Sequence, residues 1–210
     1  KIAVIEVSAS APLARAQEEE RALRAASAST WEAAWGEISV VEKVVGYKKI
    51  KFYTHENAGY GDVRLPEMQM HTTSFWLKLP NDYLITGPFG RAATIDGLRG
   101  LGRALETVAA VALMCDPHDL GRSLSEEPQA GNLYDPTLFL YEHVPGGVGL
   151  SSRIFEHRDV LLARALRLIE SCACEGGCPA CVGPGDAFGS NPKSRKNVAI
   201  ALLRGFATQL

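Results

Sequence analysis

The sequence predicts an α+β fold, β-rich in its N-terminal half and helical in its C-terminal half. Apolar residues alternate in short runs before residue 80, and they recur at helical spacing after residue 95. A third observation is a stretch with four cysteines between two predicted helices, which indicates a metal-binding loop. The 210 residues are enough for one domain, and we expect a single domain over residues 1–210.

The N-terminal half is predicted to form a sheet. Residues 2–7 alternate apolar and other side chains, which indicates a short strand. Residues 9–29 are rich in alanine, serine, arginine and glutamate, and they predict a polar helix or a flexible insertion. Residues 38–53 hold many β-forming side chains around Gly46, which favours two strands or one bent strand. Residues 73–79 alternate strictly and predict another strand.

The C-terminal half is predicted to be mostly helical. A long helix has an apolar stripe of Leu98, Leu101, Leu105, Val108 and Ala112. Asp116 and Pro117 are expected to end it, because the residue before proline avoids the helical region. A strand at residues 137–141 and a glycine-rich turn lead into a second long helix. The stripe of that helix is Ile154, Leu161, Ala165 and Leu168. Asn191 and Pro192 predict the start of a last helix.

Four cysteines lie close together between the last two predicted helices, with the spacing C-x-C-x₃-C-x₂-C: Cys172, Cys174, Cys178 and Cys181. One loop can thus supply four thiolates to one tetrahedral metal ion. Zinc is the expected metal, because it favours four soft ligands at about 2.3 Å. Gly176 and Gly177 allow a sharp turn between the second and third ligands. Four thiolates leave no open coordination position, so we predict one structural Zn²⁺ per chain.

Other interpretations of the cysteines are weaker. Two disulfides in so short a loop would be strained, and the sequence shows neither a secretory signal nor an apolar run of roughly 18 residues, so no membrane partner is expected. A redox pair formed by Cys178 and Cys181 lacks the preceding βαβ pattern of thioredoxins. Spacing alone does not separate zinc from iron. Cys115 lies far from the cluster and is predicted to be a small buried residue.

Basic residues are concentrated in two places, although the net charge of −2 argues against a wholly basic domain. If residues 47–53 are extended, one face of the strand carries alternating aromatic and basic side chains, which suits contact with DNA phosphates and bases. That face consists of Tyr47, Lys49, Lys51 and Tyr53. The first turn of the last helix carries Lys193, Arg195 and Lys196. Because the helix dipole prefers acids there, we expect either an outside anion, with these three side chains as candidate DNA contacts, or an acidic neighbour.

The glycine-rich turn has two interpretations. The backbone N–H groups of Gly146 and Gly147, ahead of a helix, are candidates for a DNA phosphate contact. Alternatively, the glycines only satisfy a tight turn with positive φ. No P-loop motif occurs in the sequence, so we expect no ATP site and no enzyme activity in this chain. Glu142 and His143 are a candidate acid–base pair, but adjacent strand residues face opposite sides.

Four segments in order carry a family resemblance. They are residues 97–105, residues 115–121, residues 140–149 and the four cysteines. Over residues 95–205 the chain resembles the C-terminal zinc-binding region of mitomycin-repair-factor-type helicases. These are superfamily-two DNA helicases related to the RecQ4-like enzymes. The start at Lys1, within a strand pattern, indicates a piece of a longer protein.

The resemblance implies a non-catalytic, zinc-binding accessory domain behind two motor lobes. In such helicases the lobes hydrolyse ATP and move 3′ to 5′ along single-stranded DNA during repair. The implied partners are single-stranded or forked DNA and the motor lobes in cis, in the cytoplasm at the nucleoid. The resemblance implies that the four cysteines are metal ligands. The assignment of lysines and tyrosines as DNA contacts rests on composition and alternation alone. The alternatives are a zinc-stabilised protein docking module and a metal-dependent hydrolase or nuclease.

Overall fold

The computed structural model describes residues 2–8, 31–125, 135–184 and 194–207. The predicted insertion at 9–29 therefore lies outside the described residues, as do Asn191, Pro192 and Lys193. The strands are β1 (Ile2–Ser8), β2 (Glu32–Ile50), β3 (Asn57–Asp62), β4 (Met68–Lys78), β5 (Leu120–Ser125) and β6 (Thr137–Glu142). The helices are α1 (Asn81–Thr86), α2 (Arg91–Leu113), α3 (Leu150–Glu156), α4 (Arg158–Ser171) and α5 (Arg195–Ala207).

The strands form one antiparallel sheet in the order β1-β2-β4-β6-β5, and β3 pairs with the far end of β2. One row of cross-strand partners crosses β2, β4, β6 and β5 and runs Trp35↔Phe75↔Leu140↔Arg122. The predicted α+β class is confirmed, because the sheet dominates the first half and the helices follow. The strand β5 carries no clear alternation of apolar residues, which is why the sequence did not predict it.

Helices α2, α4 and α5 pack on one face of the sheet. Leu98, Leu101 and Leu105 of the predicted stripe are at most 1% exposed and meet β4 and β6 side chains in the main core. Close packing depends on two glycines of α2. A Cβ atom on Gly97 would lie 2.4 Å from Val198 of α5, and one on Gly102 would lie 2.6 Å from Leu138 of β6. The opposite face holds a second cluster: Ile38, Val40, Phe139 and Tyr141.

Several element boundaries differ from the sequence-based prediction. β2 is one continuous strand past Gly46. α2 ends at Leu113, before Asp116, because Met114 adopts the left-handed conformation with φ 56° and the N–H of Cys115 returns to Ala110 O. The predicted second long helix is two helices that meet at His157. None of the described helices is long and apolar enough to span a membrane.

Candidate metal centre and neighbouring surfaces

The four clustered cysteines lie in the loop that follows α4. Their sulfur atoms all lie within 4.8 Å of one another. The Sγ–Sγ distances are 3.6 Å for Cys172–Cys174, 3.5 Å for Cys172–Cys178, 3.5 Å for Cys174–Cys181 and 3.6 Å for Cys178–Cys181. A tetrahedron of sulfurs at about 2.3 Å from a zinc ion has edges of about 3.8 Å. The cluster therefore has the size of a ZnS₄ site, and all four thiols are free rather than disulfide-bonded.

The electrostatics of the thiols also suit a cation. A hydrogen bond from the Ala180 N–H, together with bonds from neighbouring thiols, lowers the pKa of Cys178 to about 7. Burial and hydrogen bonds to the other thiols raise the pKa of Cys174 to about 12. The cluster thus favours one thiolate and opposes the ionisation of a second, and a divalent cation among the sulfurs removes that opposition. The donor set is therefore adapted to a metal ion bound by thiolates.

Lys196, at the start of α5, holds the cysteine loop from one side. Its Nζ donates to the carbonyl oxygens of Cys172 at 2.6 Å and Cys174 at 2.7 Å, and its backbone N–H donates to Gly176 O at 3.2 Å. The side chain is buried, with 8% exposure. The lysine thus fixes the backbone that carries the first two ligands.

Two arginine side chains also hold the loop and α5. The Arg103 guanidinium of α2 donates to Pro179 O through Nε at 3.1 Å and Nη2 at 2.9 Å. Arg195 forms an ion pair with Asp96 of α2. The basic first turn of α5 therefore meets an acidic neighbour at Arg195 and loop carbonyls at Lys196. Both side chains predicted as DNA contacts here have intramolecular partners.

Replacing Lys196 with methionine is expected to weaken zinc binding about 10- to 100-fold, because groups that orient metal ligands have effects of that size. Methionine keeps the apolar stem but donates nothing to the Cys172 and Cys174 carbonyls. Competition with a chelator of known affinity measures the change. The exposed Lys48, replaced in the same way, is the control; equal zinc affinity of both variants would contradict this role of Lys196.

The glycine-rich turn is a tight turn with positive φ, at 78° for Gly146 and 72° for Gly147. The Gly146 N–H donates to His71 O, and the Gly147 N–H donates to Val144 O, both at 2.9 Å. Both N–H groups thus have acceptors within the chain. Their prediction as DNA contacts gains no support from this geometry.

The carboxylate of Glu142 binds backbone N–H groups at the start of α3. The carboxylate accepts hydrogen bonds from the N–H groups of Val148 at 2.5 Å and Ser151 at 2.7 Å and from the Thr73 hydroxyl at 2.7 Å. Glu142 is completely buried. Burial opposes its ionisation, but these hydrogen bonds outweigh burial and hold the pKa of Glu142 below its ordinary value. The carboxylate acts as an internal counterpart of a phosphate at a helix start.

His143 does not share the surroundings of Glu142. Its Nδ1 lies 2.8 Å from His118 O, and its ring packs edge-on against Tyr141. Glu142, by contrast, is engaged by the start of α3. The structure therefore does not bring the candidate acid–base pair together around one exposed site.

The predicted aromatic and basic strand face is only partly extended. Tyr47 and Lys49 lie on β2, with the Lys49 Nζ 5.8 Å from the centre of the Tyr47 ring. β2 ends at Ile50, and the Lys51 N–H donates to Glu56 O at 3.0 Å as the chain turns. The Lys51 Nζ pairs with the Glu56 carboxylate at 2.7 Å, and Tyr53 lies in the turn with 89% exposure. The four side chains thus share one hairpin but not one strand face.

Comparison with known protein families finds a match for part of the chain. Residues 101–182 match the model of the MrfA Zn-binding domain. Residues 101–182 belong to the MrfA Zn-binding domain family. In this MrfA-type domain the four-cysteine cluster fits one structural zinc ion, as the resemblance implied.

Two curated helicases are similar to this chain. The ATP-dependent helicase YprA of Bacillus subtilis (strain 168) is 34% identical over 149 residues, covering 71% of this chain and 19% of that protein. The ATP-dependent helicase HRQ1 of Saccharomyces cerevisiae is 45% identical over 47 residues, covering 21% of this chain and 4% of that protein. The chain thus corresponds to a fifth or less of the length of each of these relatives.

Two solved structures share the fold. A crystal structure of DUF1998 helicase MrfA bound to DNA superposes with a TM-score of 0.66 at 25% identity, covering 97% of this chain and 25% of that one. A second, of the same helicase bound to DNA and AMPPNP, superposes with a TM-score of 0.51 at 29% identity, covering 84% and 22%. The similarity therefore includes the sheet as well as the zinc-binding region.

Sequence reasoning missed the groups that support the metal loop. The sequence predicts Lys196 only as a DNA contact or as a cation with an acidic neighbour, and it gives no sign of the role of Arg103. The available signal was the basic first turn of α5, which the helix dipole disfavours unless a nearby acceptor compensates. Pairing that turn with carbonyls of the cysteine loop required the tertiary structure.

Proposed function

We propose that this chain is a single accessory domain of an ATP-dependent 3′-to-5′ DNA helicase that acts in DNA repair at the nucleoid. In this proposal the zinc-stabilised domain holds or guides single-stranded or forked DNA and braces the motor lobes. The observation that carries the proposal is the likeness of nearly the whole chain to part of a helicase solved with DNA. The names of the related helicases also support it.

The β2–β3 hairpin is a surface with suitable chemistry for DNA. We use this name for residues 43–62, which include the basic side chains Lys43, Lys48, Lys49 and Lys51. Its aromatic side chains are exposed by 44% at Tyr47, 86% at Phe52, 89% at Tyr53 and 64% at Tyr60. Stacking of a base on an exposed aromatic ring contributes about 1–3 kcal/mol. The hairpin therefore combines stacking surfaces with cations for the DNA backbone.

Replacing Lys49 and Lys51 together with alanine is expected to weaken binding of single-stranded DNA. Each lost lysine–phosphate contact lowers the salt slope of binding by about 0.7. Lys51 contributes less if it keeps its pairing with Glu56. Fluorescence anisotropy with a labelled oligonucleotide at several salt concentrations measures both effects.

The matched control replaces Arg164 and Arg167 of α4 with alanine. This removes the same charge from the helical layer, outside the hairpin. If the lysine variant and the arginine variant bind DNA equally well and with equal salt slopes, the hairpin does not carry the contact.

A protein docking module remains a second candidate, and one observation favours it. Val111 and Met114, at the end of α2, are exposed by 74% and 91%. Exposed apolar side chains of this kind suit a protein partner, such as the motor lobes. If the chain is only a protein docking module, its zinc-loaded form should show no salt-dependent affinity for DNA in the titration described above.

A further inference from the structure

The ring of Tyr47 lies flat on the backbone of β3. Tyr47 and Gly61 are cross-strand partners, so both positions belong to the same face of the β2–β3 hairpin. A Cβ atom on Gly61 would lie 2.5 Å from Cζ, 2.6 Å from Cε1 and 2.7 Å from the hydroxyl oxygen of Tyr47. At such short range, a point almost equally distant from three consecutive atoms of the phenol group lies above the plane of the ring. One face of the ring therefore covers Gly61.

The neighbouring positions on this face leave the ring open to solvent. Lys49 is paired with Gly59, and a Cβ atom on Gly59 would have no atom of the described residues within 4 Å. The strand β3 thus presents two glycines to this face, and Tyr47 keeps 44% exposure. The Lys49 Nζ lies 5.8 Å from the centre of the Tyr47 ring. The aromatic ring and the ammonium group therefore border one open area of the hairpin.

The other exposed aromatic side chains of the hairpin are arranged differently. Phe52 and Tyr53 pack edge-on against each other, with their ring centres 5.2 Å apart and an angle of 83° between the rings. Tyr60 is paired with Lys48, and these two positions belong to the face opposite to that of Tyr47. Among these four exposed rings, Tyr47 is thus the one that lies over a glycine of the neighbouring strand.

We propose that Tyr47 is the platform on which one nucleobase of single-stranded DNA stacks, and that Gly61 is the residue that positions its ring. This inference rests on the function proposed above and assigns one base-binding subsite within the hairpin. A ring already supported by the backbone loses little conformational entropy when a base binds. Every base has a π face, so the subsite accepts any of the four bases. Lys49 contacts the phosphate next to the stacked base.

The test measures the affinity of the zinc-loaded chain for two labelled probes, an oligothymidine and an abasic oligonucleotide of the same length. Both probes carry the same phosphates, but only the oligothymidine has bases that stack. Replacing Tyr47 with leucine is expected to weaken oligothymidine binding about fivefold or more, because the stacking of one base is lost. Binding of the abasic probe should not change. Tyr47→Phe keeps the ring and should bind like the wild type, and Tyr60→Leu is the matched control on the opposite face.

The variant Gly61→Ala tests the positioning residue. Gly61 is not among the described glycines with positive φ, so the strand backbone accepts alanine, but the new Cβ atom forces the Tyr47 ring to move. We expect weaker binding of oligothymidine and unchanged binding of the abasic probe. Adding Gly61→Ala to Tyr47→Leu should cause no further loss, because both changes remove the same contact. A general disturbance of the hairpin would instead weaken both probes alike.

The outcomes separate the platform from the proposed function. A loss of affinity for oligothymidine alone, in Tyr47→Leu and Gly61→Ala but not in Tyr60→Leu, supports the platform. If the wild type binds both probes equally, or if Tyr47→Leu keeps its affinity for oligothymidine or loses affinity for both probes alike, the platform is overturned while DNA binding by the chain stands. Wild-type affinity of Gly61→Ala overturns the role of Gly61. If the wild type binds neither probe, the platform and the proposed function fail together.

Discussion

Replacing Cys178 with serine is expected to abolish stoichiometric zinc binding and to unfold the junction of α4 and α5. A serine hydroxyl does not ionise to a soft ligand at neutral pH, so the tetrahedral site is incomplete. Apparent binding free energies of structural zinc sites are about 10–16 kcal/mol, whereas whole domains are stable by about 5–15 kcal/mol. Loss of even part of the metal contribution is therefore enough to lower the Tm sharply. Elemental analysis and thermal unfolding measure the two effects.

Cys115→Ser is the matched control for this prediction. Cys115 is a partly buried thiol that packs against the main core and lies outside the cluster. Its replacement should leave one zinc per chain and change stability only modestly. A Cys178→Ser variant that unfolds at the wild-type temperature would show that the loop does not need its metal.

Replacing Glu142 with glutamine is expected to destabilise the chain by about 2 kcal/mol and to lower the Tm by roughly 4–8 °C. The neutral amide has one oxygen in place of two, whereas the carboxylate accepts from Val148 N–H, Ser151 N–H and the Thr73 hydroxyl. At least one buried donor would then face an NH₂ group. Thermal or urea unfolding at neutral pH measures the cost. Glu156→Gln, an exposed change at the other end of α3, should cost little.

The stabilisation that the Glu142 carboxylate provides depends on pH in a definite direction. The pKa of Glu142 in the folded chain lies below its ordinary value of 4.5. The folded state thus favours the charged form, and its stabilisation is complete above that ordinary value. It is lost as the pH falls through the folded pKa. The wild-type chain should therefore lose stability relative to Glu142→Gln below about pH 4.5; a constant difference down to acid pH would contradict this.

The sequence predicted the local features of the fold and the metal cluster. The spacing of the cysteines indicated four ligands, because all of them lie in one loop and need no distant partner. The stripe that contains Leu98, Leu101 and Leu105 predicted a buried helix face, since helical periodicity fixes which side chains share a face. The glycine turn was foreseen as one of two interpretations, and Gly146 and Gly147 have the positive φ of the simpler one.

Features that depend on distant partners were not predictable. Lys196 and the carbonyl of Cys172 are 24 residues apart, and Arg195 and Asp96 are 99 residues apart. Neither pairing leaves a periodic signal in the sequence. The hairpin turn was missed because Lys51 and Tyr53 continue the alternation of β2, although the chain leaves the extended conformation after Ile50. Tertiary context overrides the local pattern at these positions.

The length of β2 has a mechanical consequence. Its first part is paired with β4 from Glu32↔Lys78 to Glu42↔Met68, and the same strand continues without a break into the hairpin. Hydrogen bonds of an antiparallel ladder run perpendicular to the strands. A pull on the hairpin along β2 is therefore a shear load, shared by the whole ladder with β4 instead of being applied to one bond at a time. The hairpin is anchored to resist tension along its own length.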